Sequence, residues 1–145
     1  MKKLLLLITA LLSSASFLRA DLNWLTNYDA AKTQAKSDNK LLLLDFTGSD
    51  WCGWCKRLNA EVFSKSQFQD YAAKNLVLVE LDFPRAKPQS DELKKQNTEL
   101  ASQYQIEGFP TVIVLNAEGK KVGELGYMEG GPQAFIAALE KLRKS

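Results

Sequence analysis

No histidine occurs anywhere in the 145 residues. That absence removes Ser–His and Cys–His nucleophile pairs and most catalytic zinc sites, all of which need an imidazole as base or ligand. Cysteine is nearly as scarce: Cys52 and Cys55 are the only two, too few for a disulfide framework or a four-thiolate metal site. There is no internal repeat and no block of like charge. Whatever chemistry the chain performs must therefore use cysteine, carboxylates, lysine or tyrosine.

What is present reads first as an export signal. Lys2 and Lys3 precede an apolar run from Leu4 to Leu12, followed by small residues and Leu18-Arg19-Ala20. This is the layout of a secretory signal peptide, and the run is short of the about 20 residues that a membrane span needs. Cleavage after Ala20 is expected, although Leu18 fits the small-residue rule poorly. With no cysteine at the cut, a lipoprotein is disfavoured. Residues 1–20 are thus expected to be a signal peptide and residues 21–145 one exported domain; the chain is 46% hydrophobic and 25% charged, which suits a single packed core.

Losing Lys2, Lys3 and Arg19 leaves 16 basic residues against 17 acidic ones. A near-neutral surface without a basic run offers no footprint for nucleic acid or anionic lipid. Small-molecule or protein thiols are the natural partners.

The hydrophobic pattern predicts the order α, β, α, β, α, β, β, α. A short lead-in with Trp24 and Leu25 precedes a helix capped by Thr26 or Asn27 and ending near Asn39. Leu41 to Phe46 reads as a strand buried on both faces, interrupted only by Asp45, and Thr47 to Asp50 as a loop. From Cys52 to Asn75 the residues suit one broken helix or two. Leu76 to Phe83 is a strand, Pro84 to Ser90 a polar loop, and about Asp91 to Tyr104 a helix. Thr111–Leu115 and Lys121–Leu125 form a hairpin around Asn116 to Gly119, and Gly130-Gly131-Pro132 opens the last helix. Alternation first and a hairpin last point to an α/β fold, a mixed sheet with helices on both faces.

Cys52 and Cys55 follow a buried strand and begin a helix, where exposed amides and the positive end of the dipole favour thiolate at Cys52. Cys55 sits one turn further in, less exposed, so Cys52 should attack and Cys55 resolve. Three plainer readings compete. A structural disulfide closing so short a loop constrains the unfolded chain little. A zinc half-site lacks its other ligands, and two inert buried thiols fit poorly in an exported protein with no other cysteines.

With the pair at this junction, Trp51-Cys52-Gly53-x-Cys55-Lys56 and Gly108-Phe109-Pro110-Thr111 resemble the two signatures of the thioredoxin family, and the likeness spans nearly all of residues 27 to 144. Asp45-Phe46, Asp50-Trp51-Cys52 and Val62-Phe63-Ser64 are similar to the family's exported branch, the DsbH-like periplasmic thioredoxins and the C-terminal domain of DsbD. The resemblance implies a thioredoxin-like three-layer α/β/α sandwich with a central mixed sheet, and a periplasmic thiol–disulfide oxidoreductase. It implies a cis Pro110 lying against the Cys52–Cys55 disulfide, and substrate contacts at Trp51, Gly53, Trp54, Phe109 and Thr111. Two departures stand out: Trp54 replaces the usual proline, and the Asp45-to-Cys52 segment is one residue longer than in thioredoxin itself.

Asp45 is expensive to bury as an ion, so its pKa should rise, and it is expected to take and return the proton of Cys55; the plainer reading is a cap for the following loop. Trp54, too large to bury within a two-residue spacer, is expected to be an exposed contact for a partner protein. Trp51 reads equally as a packing residue, and Lys56 as a solvated one. No metal or cofactor is implied. Protein disulfides are the expected substrates, served by an external redox partner such as a membrane electron transporter, and a monomer is expected. The uncharged spacer of Gly53 and Trp54 points to a potential nearer about −270 mV than about −120 mV, hence to a reductase. A thioredoxin-like peptide-binding module or chaperone is the alternative; a disulfide isomerase, which generally needs dimerisation or a second domain, is a second rival, but no heptad-bearing segment is present to supply one.

Overall fold

The computed structural model describes residues 22–145, so the signal-peptide reading falls outside the described residues. Helix α1 (Tyr28–Asp38) starts where the Asn27 side chain accepts the Ala30 N–H at 2.8 Å, and stops at Asn39 in the left-handed region, φ 52°. It buries only Ala31 and Ala35, small residues that let the helix approach the sheet closely. Strand β2 (Leu41–Thr47) is buried along its whole length, as expected of a central strand covered on both sides.

The sheet has five strands in the order β1-β3-β2-β4-β5. Strand β3 (Leu76–Asp82) runs parallel to β2, while β4 (Thr111–Leu115) is antiparallel to β2 and β5 (Lys121–Leu125) is antiparallel to β4. Strand β1 (Trp24–Leu25), read from sequence as a mere lead-in, pairs in parallel with β3 through Trp24↔Leu78 and Leu25↔Val79. Two residues carry no alternation, so no periodicity could announce this strand.

Between β2 and β3 the chain forms α2 (Gly53–Leu58), one wide π turn (Asn59–Phe63) and α3 (Ser66–Asn75). The π turn brings Leu58 and Phe63, five residues apart, both into the core, where an unbroken α-helix would splay them. Helix α4 (Asp91–Gln103) is capped by Ser90, whose hydroxyl accepts the Leu93 N–H at 3.2 Å; α5 (Gly131–Arg143) has Pro132 in its first turn.

Strand alternation divides the core in two. Leu42, Leu44 and Phe46 of β2, with Val77, Val79 and Leu81 of β3, meet α1 and Leu100 of α4. Leu41, Leu43, Leu76 and Leu78 face α2, α3 and α5, where Phe63, Phe68 and Phe135 form an aromatic cluster with centroids 5.0 to 6.0 Å apart. This is the three-layer α/β/α sandwich around a mixed sheet.

Candidate active site

The end of β2 and the start of α2 are joined by a tight turn. The N–H groups of Trp51 and Cys52 both donate to the Gly48 carbonyl, at 3.2 and 2.8 Å, which reverses the chain and makes Cys52 the N-cap of α2. Cys52 and Cys55 are joined by a disulfide, their Cα atoms 5.2 Å apart. The Cys55 N–H donates to Cys52 Sγ at 3.2 Å, so the first sulfur receives one of the amides that a helix N-terminus leaves unpaired.

One expectation is corrected here. Cys52 is 7% exposed against 5% for Cys55, so the first cysteine, the cap of α2, is as buried as the second rather than an open surface group. The asymmetry between the two sulfurs lies in hydrogen bonding more than in exposure.

Phe109 and Pro110 are joined by a cis peptide. Phe109 meets the Trp51 ring edge-on at 5.9 Å and Phe83 at 5.1 Å, and the Thr111 hydroxyl donates to the Gly108 carbonyl at 2.7 Å. Trp51 is held on every side: its indole N–H donates to the Phe83 carbonyl at 2.8 Å and the Arg85 guanidinium lies 3.7 Å from its ring. Gly53 is exposed with open space where a side chain would begin. Trp54 is 54% exposed, the one large hydrophobic side chain left outside among the described residues.

Trp54 does not stand alone. Its ring lies 5.0 Å from Tyr127, and the Arg57 guanidinium sits 5.3 Å from Trp54 and 5.0 Å from Tyr127. Glu61 ties the group together, accepting from Arg57 Nε and from the Tyr127 hydroxyl, both at 2.6 Å. Neither Arg57 nor Tyr127 was singled out from the sequence; their meeting depends on β5 leading the chain back past α2, which no local pattern shows.

Asp45 and Cys55 line the same cavity. Only 8% exposed, Asp45 has a carboxyl oxygen, Oδ1, with no hydrogen-bond partner, so that oxygen caps nothing. Burial pushes its pKa up to about 8, helped by the nearby charges of Glu80 and Asp82. A cavity of about 260 Å³ opens here, lined by Asp45, Cys55, Glu80 and Lys56 with Ser49 and Trp24 among the others. Glu80 was missed in the sequence, though the signal was there: it breaks the apolar run of β3 as Asp45 breaks that of β2, and the register pairs the two.

Asp50 was also overlooked as a structural residue. Its carboxylate accepts the N–H groups of Arg85, Ala86 and Lys87 at 2.7 to 3.0 Å, which lowers its pKa to about 2 and fastens the loop after β3 against the turn that carries Cys52. Among the described residues, no group of three or more cysteines or carboxylates is placed to hold a metal ion.

A disulfide capping a helix at the end of the central strand of a mixed sheet, in a chain that also carries a cis-proline before β4, defines a thiol–disulfide oxidoreductase of thioredoxin fold. The chain belongs to the thioredoxin-like domain family, whose profile matches residues 28–143. It is 37% identical over 125 residues to a disulfide bond reductase, DsbH, of Chlamydia pneumoniae, covering 86% of this chain and 75% of that one. It is 34% identical over 114 residues to the thiol:disulfide interchange protein DsbD of Klebsiella pneumoniae, spanning 77% of this chain but 17% of that much longer protein. A solved DsbH oxidoreductase superimposes with a TM-score of 0.83 at 34% identity, covering 94% of both chains.

Proposed function

We propose that the chain is an exported disulfide reductase of the bacterial periplasm, with residues 1–20 a cleaved signal peptide and residues 21–145 the working domain. The observation that carries the reading is the disulfide at the N-terminus of α2, with the Cys55 amide turned onto Cys52 Sγ. A sulfur held this way is stabilised as thiolate and as a leaving group.

In the reduced protein the Cys52 thiolate attacks a substrate disulfide, expelling one substrate sulfur and forming a mixed disulfide. Asp45 takes the proton of Cys55, whose sulfur then attacks Cys52 Sγ, closing the Cys52–Cys55 bond and releasing the second substrate sulfur. The segment of Phe109, Pro110 and Thr111, joined to the active-site turn through the contact of Phe109 with Trp51, and the exposed ring of Trp54 with Gly53 offer the substrate contacts. Trp51 supports this surface from below. A reductant from outside, of the kind a membrane electron transporter supplies, returns the protein to its dithiol form. Two features favour reduction over oxidation: neither spacer residue carries a charge to stabilise the thiolate further, and the chain is similar to a protein named a reductase.

The test is insulin reduction with dithiothreitol as electron source, run beside equilibration against glutathione. A reductase accelerates insulin precipitation and equilibrates near about −270 mV. A potential near about −120 mV, or unchanged activity when both cysteines are serine, overturns the reading.

A further inference from the structure

Asp45 and Glu80 are register partners on the neighbouring strands β2 and β3, and both line the cavity that reaches Cys55. Two carboxyls side by side beneath a sheet are costly, and packing alone would favour apolar residues at both places. Neither forms an ion pair with a described cation that would offset the cost, and Asp45 Oδ1 is buried without a partner. The cavity, about 260 Å³, has room for several water molecules, each needing roughly 30 Å³. Burial raises the pKa of Glu80 as it does that of Asp45, and in each case neighbouring acid adds to the rise.

We propose that Glu80 is the second acid of this site: it and Asp45 hold one proton between them, and Glu80 passes that proton to solvent so that Asp45 is free to take the next from Cys55. The proposal rests on the reading of Asp45 as proton acceptor. Glu80 acts through Asp45 and does not touch the sulfurs, so it is a positioning residue.

The step balances without any outside oxidant. The shared proton leaves through Glu80 and cavity water, and the Asp45 carboxylate accepts the Cys55 proton. The sulfur electron pair of Cys55 forms the bond to Cys52 Sγ, and the bond from Cys52 to substrate breaks, its electron pair leaving on the substrate sulfur, which takes up a proton from solvent. The other charged groups facing the pair are few. Asp82 stands two residues further along β3, Lys56 of α2 lines the cavity, and Lys87 beyond β3 acts to lower the pKa of Glu80; the β4 residue opposite Asp45 is the uncharged Val112.

Ellman's reagent separates the two chemical steps, because reduced protein releases one chromophore on attack by Cys52 and a second on resolution by Cys55. Stopped-flow traces over roughly pH 6 to 9 give the profile of each. Glu80→Gln should leave the first phase unchanged and move the midpoint of the second down by about one pH unit, the effect of removing a like charge from beside Asp45. Glu80→Asp should restore the wild-type midpoint.

Carboxyl ¹³C NMR of the oxidised protein should show Asp45 titrating in two steps in the wild type, and in one lower step in Glu80→Gln. If Glu80→Gln slows both phases alike, the variant is distorted and this titration decides. If Asp45→Asn slows the second phase while Glu80→Gln moves neither midpoint nor titration, the Glu80 proposal alone falls. If Asp45→Asn leaves the second phase at the wild-type rate and profile, the reading of Asp45 fails, and that of Glu80 with it.

Discussion

At the scale of single residues the two sulfurs differ by one hydrogen bond. Cys52 Sγ accepts the Cys55 N–H, and with exposures of 7% and 5% the pair is otherwise nearly equal. In the reduced protein Cys52 should therefore be alkylated by iodoacetamide at least about tenfold faster than Cys55 near neutral pH, as mass mapping of the labelled peptides would show. Preferential labelling of Cys55 would reverse the assignment of attack and resolution. Cys55→Ser should hold substrates as mixed disulfides through Cys52, visible as bands on non-reducing gels that dithiothreitol dissolves. The sulfurs and Asp45 were legible in the sequence because each is an anomaly in its setting, two thiols at a strand-to-helix junction and one acid in an apolar run. Glu80 is the same anomaly in β3, but its meaning depends on which strand lies beside it, and register is not written locally. Tyr127 and Arg57 leave no mark at all, since a tyrosine after a strand and an arginine on a helix are ordinary until the fold brings them to Trp54.

At the scale of elements the junction between β2 and α2 tolerates no added bulk. A Cβ at Gly48 would stand 2.5 to 2.7 Å from the Trp51 ring, which Phe83, Phe109 and Arg85 already fix. Gly48→Ala should displace that ring and cost about 1–3 kcal/mol, read from the urea midpoint together with a change in tryptophan fluorescence. An unchanged midpoint would mean the ring has room to move. Phe135 is fully buried between Phe63 and Phe68 and joins α5 to α3 and the π turn, so Phe135→Ala should cost about 3–5 kcal/mol in the same measurement. The long helices and the four longer strands could be read from caps and periodicity: Asn27 and Pro132 each start a helix as expected, and α4 begins at Asp91 as the pattern predicts. The π turn at Asn59–Phe63 could not, because helix-compatible residues there fit two short helices as well as one.

For the whole molecule, the buried acid makes stability depend on pH. The Asp45 pKa is about 8 in the folded protein and near 3.8 when exposed. The contribution of the protonated carboxyl is therefore fully present below about pH 4 and lost as the pH rises towards 8, by up to about 1.4 kcal/mol per unit. Asp45→Asn, which cannot ionise, should match the wild type near pH 4 and exceed it by a few kcal/mol near pH 8, less the cost of any amide hydrogen bond left unmade. Urea unfolding of the oxidised protein at both values tests this; an equal difference at the two would show that Asp45 does not titrate in that range. The sheet has a second property of the whole. One margin is β1, two residues long, and the other is β5, where exposed Lys121 and Glu124 pair at 2.8 Å beside a break in register at Val114 and Leu115. Short, charged and irregular borders give a foreign strand no ladder to join. The folded protein should thus stay monodisperse when crowded, with a sedimentation coefficient that does not rise with concentration, and its unfolded copies rather than its folded ones should seed any precipitate.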